Sequence, residues 1–330
     1  MAALKTPAMS VNGRCLVLSM NLLNWGVYGA VGAEKVARVC DVVASQRPHV
    51  LCLSEIGPGD AIEQLTRPLA QAGVVYNAVS IGYPNQREIR NVVLVRDDVE
   101  VLEPQLKVPQ EIEVEPIDLD TFQMGGMKLR LSREPLAVLV RVEGHVLAIG
   151  FFHPKSKFPE DIRTGKYPKD VPNQTYFGIC KMISSLRNFG QCLLARKWVD
   201  CFWELNPLKP SWGIAPEALR FVLVGDWNSN PQEEQRLALR GYADAGLSTE
   251  TLMRDDIGTG STDLAAICTI PWNGWPNSFD AILVDQKLGE VTEARIFPIE
   301  VVDLFGYPDP ERDKLENDVL DHRPVGLYLK

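Results

Sequence analysis

The chain reads as an α/β protein, and three observations carry that reading. Short hydrophobic runs of strand length recur along it: CLVLSM, VLCLS, LAIGFF and FVLVG. Segments of helical period alternate with them, which is the order that builds layered α/β architecture. Each run also ends on a polar residue: Asn21, Glu55, His153, and Asp226 followed by Asn228. Two further polar sites open strands near the C-terminus, Asp280 in SFDAILV and the pair Asp321–His322 before RPVGLYL. Buried strands deliver such groups to one edge of a sheet, where α/β proteins keep their sites.

Taken from the N-terminus, residues 14–20 form a buried strand. Residues 33–46 form an amphipathic helix with Val36, Val39, Cys40, Val43 and Ala44 at helical spacing, and Pro48 stops it. VLCLS completes a β-α-β unit, which makes the two strands neighbours. A second helix covers 61–72, with Pro68 spoiling its middle. VVYNAVS, NVVLVR and the run from 91 to 117 supply strands. LAVLVRVEG and HVLAIGFF make a hairpin turning at Glu143–Gly144. A polar loop covers 154–175. The longest helix spans 176–204, with Phe177, Cys180, Ile183, Leu186, Leu193, Leu194, Trp198 and Phe202 on its apolar face and Gly190 as a weak point. FVLVG is a strand, PQEEQRLALRG a short helix opened by Pro231, and AILVD, ARIFPIEVV and VGLYLK are the last strands. Residues 303–318 are a polar loop.

Composition narrows the function. The 330 residues are 45% hydrophobic and 23% charged, enough to bury a large core. Length allows two domains, but the polar sites are spread over the whole chain, which argues for one domain over 14–330 after a tail at 1–13. The net charge of −9 is the reverse of a basic nucleic-acid binder. It leaves room for a nuclease, since a local basic strip and metal ions hold phosphate against an acidic background. The seven cysteines show no CxxC spacing, and Cys15 and Cys52 sit in strand-like runs as small buried hydrophobes. This usage suits a reducing compartment. The N-terminus lacks the apolar core of a signal peptide, and no run reaches the ~18 apolar residues of a membrane span. The reading is of a soluble intracellular protein.

Local chemistry is sharpest in GDWN. A strand, a glycine and then Asp226 and Asn228 two apart put both side chains on one side if the backbone stays extended. Asp orients water and Asn donates to a phosphate oxygen without adding charge. The same residues also suit a polar turn that caps the next segment. Glu55 offers a carboxylate to a hard cation such as magnesium, or is a surface acid or cap. His49 and His145 sit at a strand start and a hairpin turn, as structural residues do. His322 stands after one acid, and a second, Asp280, can orient its ring.

SMN at 19–21, LSE at 53–55, GDWN, SFDAIL at 278–283 and LDHRPV at 320–325 stand in the order seen in the endonuclease/exonuclease/phosphatase superfamily, which includes the DNase-I-like enzymes. The resemblance covers about residues 14–329. It implies a four-layer α/β/β/α sandwich of two mixed sheets flanked by helices, and a Mg2+-dependent (or Mn2+-dependent) phosphoester hydrolase. By this resemblance Glu55 is the principal metal ligand, with Asp321 and Asn21 beside it. Asn21 also lies near the phosphate. His153 contacts the scissile phosphate, Asp226 orients or deprotonates the water, and Asn228 supports it. Asp280 pairs with His322, which acts on the phosphate.

Departures are visible. FFHPKSK stands where a Thr-His-Leu type run is usual, and it is similar to bacterial members with a His-x-Lys-Ser-Lys stretch. Lys155 is either a phosphate contact or a solvated loop lysine. Leu320 replaces the usual Ser before Asp-His, and Trp227 stands where Phe or Leu is commoner. No counterpart is visible for the residue that assists the middle His in some members, Glu88 being out of register. A basic loop of Lys155, Lys157, Arg163, Lys166 and Lys169, with Phe158 and Tyr167 interleaved, can track a nucleic-acid backbone, though Glu160, Asp161 and Asp170 dilute it. Trp272 and Trp275 either stack on bases or pack their own loop. DNA or RNA is the expected substrate, a small phosphate ester (nucleotide, inositol phosphate or lipid headgroup) the alternative, and a catalytically silent interaction module a third reading.

Overall fold

Why the chain folds as it does is clearest in its strands, most of whose residues are hidden on both faces. The computed structural model describes residues 14–85, 88–114, 117–119, 122–124, 127–130, 133–154, 173–230, 233, 238–239, 253–255, 269–272, 275–277, 279–297, 299–302 and 319–330. In chain order the first elements are β1 (Cys15–Trp25), α1 (Ala33–Gln46), β2 (Val50–Ile56), α2 (Glu63–Gln71), β3 (Tyr76–Ile81), β4 (Arg90–Arg96) and β5 (Glu100–Glu103). Four short strands come next: β6 (Glu111–Val114), β7 (Ile117–Leu119), β8 (Phe122–Met124) and β9 (Met127–Arg130). Then come β10 (Leu136–Val142), β11 (His145–Phe152), α3 (Asn173–Asp200), α4 (Phe202–Leu205) and β12 (Leu219–Asp226). The last are β13 (Met253–Asp255), β14 (Ile270–Trp272), β15 (Trp275–Asn277), β16 (Asp280–Asp285), α5 (Gln286–Val291), β17 (Thr292–Ile296) and β18 (Val325–Leu329).

Two mixed six-stranded sheets result. The first runs β17-β18-β1-β2-β4-β3 and the second β13-β16-β12-β11-β10-β5. The expected β-α-β unit is present, with β1 and β2 parallel and in register from Val17↔Val50. The expected hairpin turns at Glu143–Gly144, both at positive φ (49° and 78°), the backbone of a two-residue primed turn.

Between the sheets, Val17, Val50, Cys52 and Val93 meet Val138, Ile149, Val222 and Ile282. On the outer face of the first sheet, Leu18, Leu51 and Leu94 pack on Val39 and Val43 of α1 and Leu65 and Leu69 of α2. On the outer face of the second, Leu139, Ala148 and Leu223 pack on Cys192, Ala195, Trp198 and Val199 of α3. Helix, sheet, sheet, helix is the four-layer sandwich expected. Alternation along each strand sends one set of side chains inward and the other to the helices.

The differences from the sequence reading are local. β1 runs on to Trp25, beyond the expected end. Pro68 lies inside α2 without ending it. The long helix begins at Asn173; Leu194 and Trp198 are buried as expected, but the buried face of its first half is not the expected one. Ile183 and Leu186 are 39% exposed, whereas Ser184, Asn188 and Gln191 are buried. The reason is what this half of α3 covers: it lies over a polar turn of the second sheet, and Asn188 donates to the Trp227 carbonyl (3.0 Å). Gly190 does not break the helix. β17 stops at Ile296, short of the expected ARIFPIEVV. The expected loop at 155–172, most of the expected helix at 231–241 and the loop at 303–318 lie outside the described residues, as does the tail 1–13.

Candidate active site

Strand direction assembles the polar residues. β1 parallels β2 and β11 parallels β12, while β16 and β18 run against their neighbours. Strand ends of the first kind and strand starts of the second therefore fall at the same end of the sandwich. Asn21, Glu55, His153, Asp226, Asn228, Asp280, Asp321 and His322 are all buried, between 2% and 9% exposed.

Asp226 is the hub. Its Oδ2 accepts from Asn21 Nδ2 (3.2 Å), which reaches across from the other sheet. The same oxygen lies 3.2 Å from His153 Nε2 and 3.9 Å from His322 Nε2. Its Oδ1 accepts from the Asn228 backbone N–H (3.0 Å). The turn after β12 is therefore not the extended backbone that the Asp-x-Asn spacing suggests. Asn228 sits at φ 51°, and Asp226 caps its own turn while also serving the cluster. The capping reading of GDWN holds, and the same carboxylate stands within the polar cluster.

Each neighbour is held in turn. The Leu23 N–H donates to Asn21 Oδ1 (3.0 Å), and Lys35, buried on α1, donates to the Leu23 carbonyl (3.0 Å). Leu23 and Asn24 both have positive φ, where the β1–β2 register shifts. Asn228 Nδ2 donates to the Pro154 carbonyl (3.1 Å), so the proline after His153 fixes the opposite turn. Trp227 is fully buried, stacks on Phe152 (5.7 Å between centroids) and donates to the Ala281 carbonyl (3.3 Å). A large ring at this position fills the layer under α3.

His322 Nδ1 lies 2.6 Å from Asp280 Oδ2. Its Nε2 is 3.9 Å from both Asp226 Oδ2 and Asp321 Oδ1, beyond hydrogen-bonding distance of either. Sequence reasoning misses the residue that aligns this pair. Thr269 Oγ1 accepts from the backbone N–H groups of Phe279 (3.0 Å) and Asp280 (3.1 Å), and its carbonyl accepts from Arg323 N–H (2.7 Å). It thereby ties the start of β16 to the residue after His322. Sequence reasoning misses Arg133 as well. It stands just before β10 and puts Nη2 3.4 Å from Glu55 Oε1. Glu55 itself sits at φ 63°, where the β2–β4 register shifts. Neither partnership leaves a motif in sequence: Thr269 acts on backbone N–H groups, and Arg133 meets Glu55 across 78 positions of chain. Lys155 and the basic loop behind it lie outside the described residues. Trp272 and Trp275 stand opposite one another in the backbone register of the antiparallel β14–β15 pair.

Burial and charge set the protonation states. Burial opposes ionisation of Asp226 most, but His322, His153 and the Asn228 N–H together hold its carboxyl well below the usual range. For His322, burial opposes the charge, and Asp280, Asp321 and Asp226 overcome it, so the imidazole is held protonated well above its usual pKa. His153 moves the other way. Burial and then the Arg133 charge push it down, against Asp226 and Glu55. An ionised Asp226 only accepts, so neutral His153 carries its proton on Nε2. Its Nδ1 has no hydrogen-bond partner among the described residues.

These opposite shifts give opposite linkage. His322 has a raised folded pKa, so its stabilisation is full below the unfolded value of about 6.5 and is lost as pH rises through the folded value. His153 has a lowered folded pKa, so its stabilisation is present above about 6.5 and is lost as pH falls. In metal-free urea unfolding, His322→Gln should therefore cost more at about pH 6 than at about pH 8.5, and His153→Gln the reverse. Parallel slopes for the two variants would contradict these assignments.

One ligand atom each from Asp226, Asp280 and His322 lies within 4.8 Å of the others, a spacing a metal ion can bridge. The chemistry of that trio argues otherwise, because a protonated His322 with Nδ1 on Asp280 is a donor and not a ligand. The wider donor set does fit a hard divalent cation: the carboxylates of Glu55, Asp226, Asp280 and Asp321 stand against one guanidinium and one imidazolium. The cluster is thus net negative and buried.

No family model matches the chain, and no curated protein sequence matches it. Solved structures do. A humanised D. rerio TDP2 carrying 14 mutations aligns with TM-score 0.50 and 14% identity, over 95% of this chain and 98% of that one. Truncated Caenorhabditis elegans TDP2 aligns with TM-score 0.50 and 13% identity, over 96% and 98%. An endonuclease/exonuclease/phosphatase from Bacteroides vulgatus aligns with TM-score 0.47 and 14% identity, over 96% and 98%. At such identity the likeness is one of fold. The chain has the DNase-I-like fold, two mixed sheets flanked by helices. No helix among the described residues is long and apolar enough to cross a membrane.

Proposed function

We propose that the chain is a divalent-metal-dependent phosphoester hydrolase, a nuclease that cleaves phosphodiester bonds in DNA or RNA with an activated water. The observation that carries this reading is His322. Its Nδ1 is fixed by Asp280, it is held charged, and its Nε2–H is out of reach of both flanking carboxylates. A charged donor so placed suits a phosphate oxygen that gains negative charge in the transition state.

Glu55 and Asp321 would hold the divalent cation, which would supply charge neutralisation at the phosphate and the leaving oxygen. The other roles belong to the chain's own side chains. Asp226 accepts a hydrogen bond from the attacking water. Its low pKa makes it a weak base, so it aims the water and takes the proton only as the new phosphorus–oxygen bond forms. Asn228, anchored to Pro154, supports the same water. Asn21 is engaged with Leu23 and Asp226, which makes it a positioning residue for Asp226 in preference to a metal ligand. In this reading His153 and His322 face the phosphate oxygens, and Lys155, two residues after His153 in sequence, supplies a further phosphate contact. Because Asp226 draws partners from both sheets, residues 14–330 act as one catalytic unit.

The net charge of −9 favours a second reading, hydrolysis of a small phosphate ester. A labelled panel of single- and double-stranded DNA, RNA and small phosphate esters, with Mg2+ or Mn2+, separates the two. Polymer cleavage that falls by about 10²–10³-fold or more in Glu55→Ala and Asp226→Ala is the expected result. Turnover of small esters alone selects the second reading. No turnover by folded protein that also fails to bind metal selects a silent interaction module.

A further inference from the structure

Lysine is seldom fully buried, yet Lys35 of α1 is 1% exposed. Its Nζ donates to the Leu23 carbonyl (3.0 Å) and lies over the Trp25 ring, 6.0 Å from the centroid. Leu23 belongs to the irregular end of β1. The β1–β2 register breaks between Asn21 and Trp25, and Leu23 and Asn24 both hold left-handed backbone, at φ 46° and 54°. Neither is a glycine, so this conformation persists only where the surroundings hold it. Several bonds do so. The Asn24 carbonyl accepts from the Val27 N–H (3.0 Å) and the Trp25 carbonyl from the Gly57 N–H (2.7 Å), while Trp25 Nε1 donates to the Ala61 carbonyl (2.9 Å). Lys35 is the hold that α1 places on the Leu23 carbonyl, at the centre of the stretch.

Asn21 is what this stretch serves. The Leu23 N–H donates to Asn21 Oδ1 (3.0 Å), and that bond decides which end of the amide faces Asp226. With Oδ1 taken, Nδ2 is presented to Asp226 Oδ2 at 3.2 Å. If the Leu23 backbone relaxes, the Asn21 amide loses the donor that sorts its oxygen from its nitrogen, and its hold on the Asp226 carboxylate loosens. We propose that Lys35 is a positioning residue for the Asp226 cluster: by holding the Leu23 carbonyl it keeps the left-handed Leu23–Asn24 backbone in place, and through it keeps Asn21 donating to Asp226. This inference rests on the reading of Asp226 as the residue that aims the water.

The test pairs turnover with a direct view of Asn21. Hydrolysis of bis(4-nitrophenyl) phosphate with Mg2+ is measured in wild type, Lys35→Met, Asn21→Ala and the double variant. Lys35→Met keeps the apolar stem and removes the donor. It should lower kcat about 10–100-fold while KM stays within about threefold. Asn21→Ala should cost at least as much, and in that background Lys35→Met should add less than about twofold, because its effect passes through Asn21. In metal-free protein labelled with 15N-asparagine, the Asn21 side-chain amide resonance, identified by its loss in Asn21→Ala, should shift or broaden in Lys35→Met. Lys35→Gln, polar but too short for the Leu23 carbonyl, makes the same comparison if Lys35→Met does not fold. Val39→Ala is the packing control: Val39 is fully buried on the same helix, and its truncation should leave both kcat and the resonance near wild type. The proposal is overturned by equal losses from Lys35→Met with and without Asn21, by an Asn21 resonance that stays in place, or by Val39→Ala acting as strongly as Lys35→Met. If folded wild type turns nothing over, the hydrolase reading fails by itself. A resonance that then moves in Lys35→Met and not in Val39→Ala still supports the positioning role, and one that does not move overturns it.

Discussion

Asp226→Asn should abolish most turnover while leaving the protein folded, with kcat reduced about 10³-fold or more. The cause is geometric before it is electrostatic. Asp226 Oδ2 lies 3.2 Å from both Asn21 Nδ2 and His153 Nε2, and Oδ1 accepts from the Asn228 N–H. An amide has the same shape but brings a donor to one of those positions, where donors already point. It also removes a negative charge 3.9 Å from His322 Nε2, weakening the hold on the imidazolium. In the proposed mechanism the water thereby loses its acceptor and the phosphate part of its charged donor in one substitution. Circular dichroism and kcat measured together check this. A kcat within tenfold of wild type would remove Asp226 from the chemistry.

Gly225→Ala should be among the most damaging single substitutions to folding. Gly225 pairs with Phe152 in the parallel β11–β12 ladder and has φ 152°. A Cβ placed there would lie 1.8 Å from the Phe152 carbonyl oxygen, which is backbone and cannot move aside without breaking the ladder. The backbone angle and the clash add, for an expected loss of about 3 kcal/mol or more. The same two strands deliver His153 and Asp226, so any relief of the clash also opens the His153–Asp226 contact. Chemical unfolding measures the effect. A loss below about 1 kcal/mol would contradict the close approach of the two strands.

Much of this arrangement is legible in the sequence because its elements are local. Buried strands announce themselves as apolar runs, and the residue at the end of each run is visible by position alone. Position alone therefore puts Asn21, Glu55, His153 and Asp226 on a shared edge. The ordered motifs add the Asp280–His322 pair, which the structure brings to 2.6 Å. The hairpin at Glu143–Gly144 is legible from its turn residues. Elements whose reasons are not local stay hidden. The buried face of α3 covers the polar Trp227 turn, so Ser184, Asn188 and Gln191 face inward where apolar spacing points to Ile183 and Leu186. Thr269 acts through backbone bonds to Phe279 and Asp280, a role many residues can play and no motif marks. Arg133 meets Glu55 across 78 positions of chain, and only the packing of two sheets reveals it. The extended reading of GDWN fails because Asp226 bends its own turn.

That this cluster hydrolyses phosphate esters is tested most directly by turnover of the chromogenic diester bis(4-nitrophenyl) phosphate with Mg2+, in wild type and Asp226→Asn side by side. The predicted result is metal-dependent nitrophenolate release by wild type that is lost in the variant and stopped by chelation. Release at equal rates from both proteins, or none from folded, metal-loaded wild type, would contradict it.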